Sequence, residues 1–222
     1  MAVILLVRHG ENEWVKKGRL AGWIPGVHLN KKGQEQALSA AARLCHLPIT
    51  AIYSSPVTRC LETAQPIAAN FDLPVVSLEE IGEVHYGKWE GKKIKKLAKK
   101  PEWAIVQHFP SRHRFPAGES LREVQNRAVS ALEKLSHNHQ KEIIVVVSHA
   151  DVIKMVLAHY LGIHLDLFQR VVISPASVSA IELTPIGTVR ILRLNDDGPI
   201  QIGEPKNKDD KKIKPELKDE EE

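Results

Sequence analysis

Ala2-Val3-Ile4-Leu5-Leu6-Val7 runs directly into Arg8-His9-Gly10-Glu11. An unbroken aliphatic run of this length reads as a strand buried on both faces, most simply a central strand of an α/β sheet. Arg8 and His9 follow at its carboxyl end, and Gly10 lets the backbone turn tightly. Open α/β sheets bind ligands just beyond the carboxyl ends of their strands. A cation and a nucleophilic imidazole therefore sit where such sheets do chemistry. Three letters are weak evidence on their own, so the reading needs partners elsewhere in the chain.

The 222 residues suffice for one sizeable α/β domain. Hydrophobic residues make up 43% and charged residues 26%, the balance of an ordinary globular protein. No apolar stretch approaches a membrane span. The first apolar run has no basic segment before it and no small-residue cleavage site after it, so a strand is expected there rather than a secretory signal. Cys45 and Cys60 lack metal-ligand spacing and read as free thiols in a reducing compartment, which points to the cytoplasm. Net charge is +4, too mild to imply nucleic-acid binding. From Gly203 onward eight acidic residues and six lysines contribute −2, and taking −2 from +4 leaves +6 on the preceding body. A basic body suits an anionic ligand.

Periodicity predicts alternating strands and helices. Asn30 is the expected N-cap of a helix to about Leu47. Ala51–Ser54 reads as a strand, followed by a helix to about Asn70 with Ser55 as its cap and Pro56 in its first turn. Val75 and Val76 suggest a short strand. Residues 78–115 are irregular, with a lysine-rich helix expected near 92–100, and read as a small cap or insertion over the sheet, where specificity commonly resides. A helix is expected from Glu119 to about Leu135, a buried strand over Ile143–Val147, and a helix from Asp151 to Leu161. Val171–Ile173, Ser177–Leu183 and Thr188–Leu194 read as three final strands. The expected fold is a three-layer α/β/α sandwich with a mostly parallel central sheet. One domain is expected over residues 1–202, and a disordered charged tail over 203–222.

Strand ends carry the chemistry. Arg8-His9 follows the first strand, Arg59 lies one turn into the helix after Ser54-Ser55-Pro56, and Ser148-His149 ends the second buried strand. If these strands are neighbours, two arginines and two histidines converge beside a helix N-terminus, which describes a phosphate site. Glu83 and Glu90 are both candidate proton donors on composition alone. Ser54 and Ser55 read as turn-shaping residues. Trp89 and Trp103 read as packing in the cap. His137 and His139 read as solvated. The lysines at 92, 93, 95, 96, 99 and 100 read first as a solvated helix face, with a rim attracting a multiply charged substrate as the functional alternative.

Taken together, R-H-G-E at 8–11, S-S-P-x-x-R-x-x-E-T-A around Arg59, E-x-x-x-G-x-W-E-G from Glu83, G-E-S at 118–120 and V-S-H at 147–149 resemble the histidine phosphatase superfamily, which includes the cofactor-dependent phosphoglycerate mutases. The run Ser148-His149-Ala150-Asp151 with Ile153-Lys154 resembles a bacterial phosphomutase-like branch of it. The resemblance implies that His9 attacks phosphorus and becomes phosphohistidine. Arg8, Arg59 and His149 would hold the phosphoryl oxygens, and Glu83 would protonate the leaving alkoxide. It implies no metal and no other cofactor. Val15 stands where the family often has a phosphate-contacting asparagine. Asn12, where the family often has threonine or serine, is the expected compensation. Ala150-Asp151 replaces a common glycine pair; Ala150 is expected to offer its N–H to phosphate and Asp151 to cap the helix. Mutases of this family that act on phosphoglycerate usually have a longer insertion than the interval from Glu83 to Gly118, so the expectation is a phosphatase acting on a small phosphorylated metabolite. A phosphomutase and a catalytically silent binding module are the alternatives. A homodimer is a candidate assembly; membrane and nucleic-acid partners are not expected.

Overall fold

The computed structural model describes residues 1–184 and 187–198. The expected tail over 203–222, and the last residues of the expected domain, lie outside the described residues. In chain order the regular elements are β1 (Ala2–Arg8), α1 (Glu13–Lys16), α2 (Lys31–Leu44), β2 (Ile49–Ser54), α3 (Thr58–Ala69), β3 (Val75–Ser77), α4 (Ile94–Leu97), α5 (Pro101–His108), α6 (Leu121–Asn138), β4 (Ile143–Ser148), α7 (Ala150–Tyr160), β5 (Val178–Leu183) and β6 (Val189–Asp196), with short 3-10 turns between.

The strands form one sheet in the order β3-β2-β4-β1-β5-β6. Among neighbours, β3, β2, β4 and β1 run parallel, whereas β5 is antiparallel to both β1 and β6. The mostly parallel α/β architecture is as expected. β1 and β4 are the central pair, and their aliphatic runs are buried on both faces, as a sheet covered by helices on each side requires. Alternation sorts the side chains: Ile4 and Leu6 join one core with α6 and α7, while Leu5 and Val7 join another with α2 and α3. In α6, buried Leu121, Val124, Leu132 and Leu135 follow helical spacing, each contributing about 1.5–3 kcal/mol by leaving water. Ser120 and Glu123 close a reciprocal capping box at its start. Among the described residues, no helix is long and apolar enough to cross a membrane.

Several boundaries differ from expectation for local reasons. The helix after β2 begins at Thr58 with Val57 as N-cap, not at Ser55. His149 holds the N-cap position of α7 without a side-chain cap hydrogen bond, which leaves Asp151 inside the first turn and corrects its reading as the cap. Pro101 holds Lys100 in extended backbone, so the lysine-rich segment splits into a single turn and a separate helix. Val171–Ile173 forms no strand; Val171 and Ile173 are apolar because they pack into the α6–α7 core.

Gly10 and Gly33 let β1's exit loop lie against the start of α2. A Cβ at Gly10 would fall 2.4 Å from the Gly33 carbonyl oxygen, and one at Gly33 would fall 2.0 Å from that of Glu11.

Candidate active site

Register assembles the site. Arg8 pairs with Ser148 across the β1–β4 ladder, and Ser54 pairs with Val147 across β2–β4. The next residue of each strand therefore emerges at the same edge. His9 donates its backbone N–H to the Ser148 carbonyl at 3.0 Å, and Ser55 donates its own to Val147 at 2.9 Å. The His9 and His149 rings meet edge to face with centroids 5.3 Å apart. Arg59, in the first turn of α3, reaches the same point and is 1% exposed.

The hydrogen bonds fix the state of His9. Its Nδ1 lies 2.7 Å from the Gly10 carbonyl oxygen, which only accepts, so Nδ1 carries the proton. Nε2 keeps its lone pair and receives the Arg59 Nε–H at 3.3 Å. Burial first, then Arg59 and Arg8, hold the His9 pKa well below the ordinary histidine value. The imidazole is thus neutral and tautomerically set for attack through Nε2. Thr63 Oγ1 steadies the turn by accepting the Gly10 N–H at 3.1 Å.

Arg59 Nη2 serves two acceptors, the Gly22 carbonyl at 3.0 Å and His149 Nδ1 at 3.1 Å. Since a guanidinium only donates, His149 accepts at Nδ1 and donates from Nε2 to Ser55 Oγ at 2.8 Å. His149 is likewise held well below its ordinary pKa, chiefly by burial and then by Arg59. Cys60 Sγ lies 3.4 Å from His149 Nε2, but burial pushes its thiol up to about 12, so it is inert as a nucleophile.

Glu83 brings a carboxyl group to this cluster. Its Oε2 lies 3.6 Å from Arg59 Nη2 and 3.4 Å from His149 Nδ1. Burial raises its pKa to about 7, against the opposing pull of Arg59, with Asp151 adding to the rise. A carboxyl group poised near neutrality can donate and accept a proton in one cycle. Its backbone is pinned: the Glu83 carbonyl accepts from Trp23 Nε1 at 2.7 Å and from Arg127 Nη2 at 2.9 Å. Arg127 also holds the Glu80 and Gly82 carbonyls and pairs with Glu119. The alternative donor, Glu90, does not line the cavity that holds Glu83.

That cavity measures about 260 Å³ and is lined by Arg8, His9, Asn12, Arg59, Glu83 and Ala150, with Val15, Tyr86, Asp151 and Lys154 among the remaining wall. The expected site residues line this cavity except His149, which is fully buried and reaches the cluster through Arg59 and the His9 ring instead of the cavity wall. Arg8 Nη1 donates to the Ile173 carbonyl at 2.6 Å. Arg8 Nε, Arg59 Nη1 and Asn12 Nδ2 are buried N–H donors without a partner among the described residues. Leaving such donors unpaired is costly, and three around one cavity fit an anion with several oxygens. Asn12 has a double role, because its Oδ1 caps α1 by accepting from Trp14 and Val15 N–H groups, which leaves only Nδ2 for a ligand. Ala150 occupies the first turn of α7, where backbone N–H groups have no intrahelical acceptor.

Sequence reasoning missed Ser55 as a partner of His149, Tyr86 and Lys154 as cavity wall, and the Trp23–Arg127 clamp. Ser55 was legible only as a turn residue, since its partner lies 94 positions away. Trp89 packs against Trp103, His113 and Phe115 in the cap, as expected. His139 is not merely solvated; it joins Tyr53 and Glu142 at the other end of the sheet.

Comparison with known proteins shows the family of the chain. Residues 4–197 match the family model described as histidine phosphatase superfamily (branch 1). Phosphoserine phosphatase 1 of Hydrogenobacter thermophilus is 34% identical over 200 residues, covering 88% of this chain and 92% of its own length. The 2,3-bisphosphoglycerate-dependent phosphoglycerate mutase of Thermoplasma acidophilum is 30% identical over 184 residues, covering 82% and 88%. A mutant phosphoserine phosphatase from Entamoeba histolytica, solved in complex with phosphoserine, superposes with a TM-score of 0.80 at 25% identity, covering 89% of this chain and 98% of that one.

Proposed function

Because this chain belongs to the histidine phosphatase superfamily (branch 1), we propose that it hydrolyses a small phosphomonoester through a phosphohistidine at His9. The observation that carries this is the pairing, on one cavity, of a neutral His9 with an unprotonated Nε2 and a Glu83 carboxyl poised near neutral pH. The Nε2 lone pair attacks phosphorus, the ester P–O bond breaks, and Glu83 gives its proton to the departing alkoxide. Arg8 and Arg59 stabilise the charge on the equatorial oxygens, His149 positions Arg59 by accepting from it at Nδ1, and Asn12 Nδ2 and the Ala150 N–H add donors. The resulting Glu83 carboxylate then takes a proton from water as that water attacks phosphorus. The N–P bond breaks, its electron pair returns to Nε2, and phosphate leaves. Protein cations supply the charge neutralisation, so the residues require no metal for this route.

The cavity is smaller than the pockets that hold drug-sized ligands, which favours a small metabolite. Residues 1–202 form the catalytic domain in this reading. The two free thiols suit the cytoplasm. A phosphomutase is the second reading, favoured by the similarity to the Thermoplasma mutase. A panel of phosphorylated metabolites, scored for release of inorganic phosphate and for transfer to a second acceptor, separates the two. Hydrolysis without transfer supports the phosphatase; isomer formation faster than phosphate release supports the mutase.

A further inference from the structure

We infer that Asn195, on the last strand and outside the cavity wall, is a positioning residue for Arg8: it clamps the turn that sets the Arg8 guanidinium for two-point contact with the phosphoryl group. The inference rests on the phosphatase reading for what Arg8 binds.

Arg8 is held by one short segment, residues 173–177. Its Nη1 donates to the Ile173 carbonyl at 2.6 Å. Its backbone carbonyl accepts the Ala176 N–H at 3.0 Å, and its own N–H donates to the Ser177 carbonyl at 3.2 Å. With Nη1 committed, the edge left for a ligand is the one that carries Nε and Nη2. Nε is buried and has no partner among the described residues. Two parallel N–H donors on one edge match two phosphoryl oxygens. The placement of the Ile173 carbonyl therefore sets the direction of that edge.

The segment does not hold itself. Ser177 donates its N–H to the Ser174 carbonyl at 3.1 Å, closing a turn with Pro175 and Ala176 at its centre. Ala176 has φ +56°, a conformation that turns normally give to glycine and that persists only where the surroundings enforce it. Asn195 supplies the enforcement. Its Oδ1 accepts the Ser174 N–H, and its Nδ2 donates to Ser174 Oγ at 3.3 Å. The aim of this side chain comes from the strand itself. Val178 pairs with Asp196 and Ala180 with Arg193, so Leu194 and Asn195 stand opposite Ser179 alone. Two residues against one make a β-bulge, a device that re-aims a side chain beside a site. Asn195 has φ +51° there, and its N–H donates to Ser179 Oγ at 3.0 Å. Asparagine tolerates this backbone better than most residues with a side chain.

Asn195→Gly keeps the backbone conformation and removes the clamp. It is expected to lower kcat/KM on p-nitrophenyl phosphate about tenfold and to weaken binding of inorganic phosphate to a similar degree, the scale of one hydrogen bond to a charged group. Asn195→Asp keeps the acceptor for the Ser174 N–H and should stay within about threefold of wild type. The deciding comparison repeats Asn195→Gly in an Arg8→Ala background, where its cost should shrink to below about twofold, because the clamp acts through Arg8. A residue that served folding alone would lower the urea midpoint and cost the same factor in both backgrounds. Equal losses in the two backgrounds, or an Asn195→Gly protein within about twofold of wild type, overturn the inference. If wild-type protein turns over no phosphomonoester, the phosphatase reading fails, and the inorganic-phosphate dissociation constants of the same proteins still decide the clamp.

Discussion

The Nε2 atom of His9 lies 3.3 Å from the Nε atom of Arg59, with both side chains buried. The guanidinium thus sits on the lone pair that attacks phosphorus. It opposes protonation of the ring and stands ready to receive the charge that develops on the phosphoryl group. Its remaining Nη1 donors have no partner among the described residues.

From this arrangement, Arg59→Lys is expected to keep a positive charge but lose the planar fork that reaches His9, Gly22 and His149 together. Phosphorylation of the protein in a rapid-quench experiment should slow by about a hundredfold or more, the scale of one oxyanion-stabilising group. A loss below about threefold would show that Arg59 serves folding rather than the transition state.

Glu83 sets the pH dependence. With its carboxyl near 7 in the free protein, kcat/KM for esters with poor leaving groups should fall as pH rises through about 7, because the proton donor is lost. Glu83→Gln should abolish that limb and slow alkyl phosphates far more than p-nitrophenyl phosphate. Equal losses on both would move the acid role elsewhere. Stability follows the same linkage. The folded state holds this proton more tightly than the ordinary carboxylate value of 4.5, so its contribution is fully present below 4.5 and is lost as pH rises towards 7. His9 and His149 act oppositely, since their lowered values contribute stability above 6.5 that is lost on acidification. Removing the Glu83 contribution, Glu83→Gln should make the slope of urea midpoint against pH more positive than in wild type between 4.5 and 7.

Trp23 tests whether Glu83 must be held in place. Trp23→Phe removes one of two donors to the Glu83 carbonyl and leaves Arg127 as the other. With one hydrogen bond worth about 1 kcal/mol, kcat on an alkyl phosphate should fall about fivefold with little change in KM. A purely structural role would instead lower stability and leave the pH profile of kcat where it was.

How much of this was legible beforehand depended on distance along the chain. β1 and β4 announced themselves by continuous aliphatic runs, and the residues at their ends followed from where such strands open. Arg59 and His149 could be placed beside His9 because parallel neighbours bring their carboxyl ends together. Side-chain pairings across many residues left no local signal: Ser55 with His149, Tyr86 with Asp151, Trp23 with Glu83. Asp151 shows the same limit at short range. Its residue type suits a cap, but His149 already occupies the extended position before the helix, so Asp151 is turned to the cavity. Val171–Ile173 was apolar enough for a strand, yet burial in a loop under α6 and α7 accounts for that composition equally well.

Val15 is the clearest departure at the phosphate end. It lines the cavity, is 39% exposed and carries no donor. Val15→Asn should add one and lower KM for phosphate esters by about tenfold, the scale of a hydrogen bond to a charged group. Inhibition by inorganic phosphate should tighten in parallel. An unchanged phosphate inhibition constant would mean that Asn12 and Ala150 already complete the cup.

The covalent state of His9 is the most direct test. Protein quenched in alkali within one turnover of a 32P-labelled phosphomonoester should carry the label on His9 Nε2, stable to base and released by acid, and Glu83→Gln should accumulate more of it. His9→Ala should carry none and turn over nothing. Phosphate release without a labelled histidine, or turnover retained in His9→Ala, would contradict the mechanism.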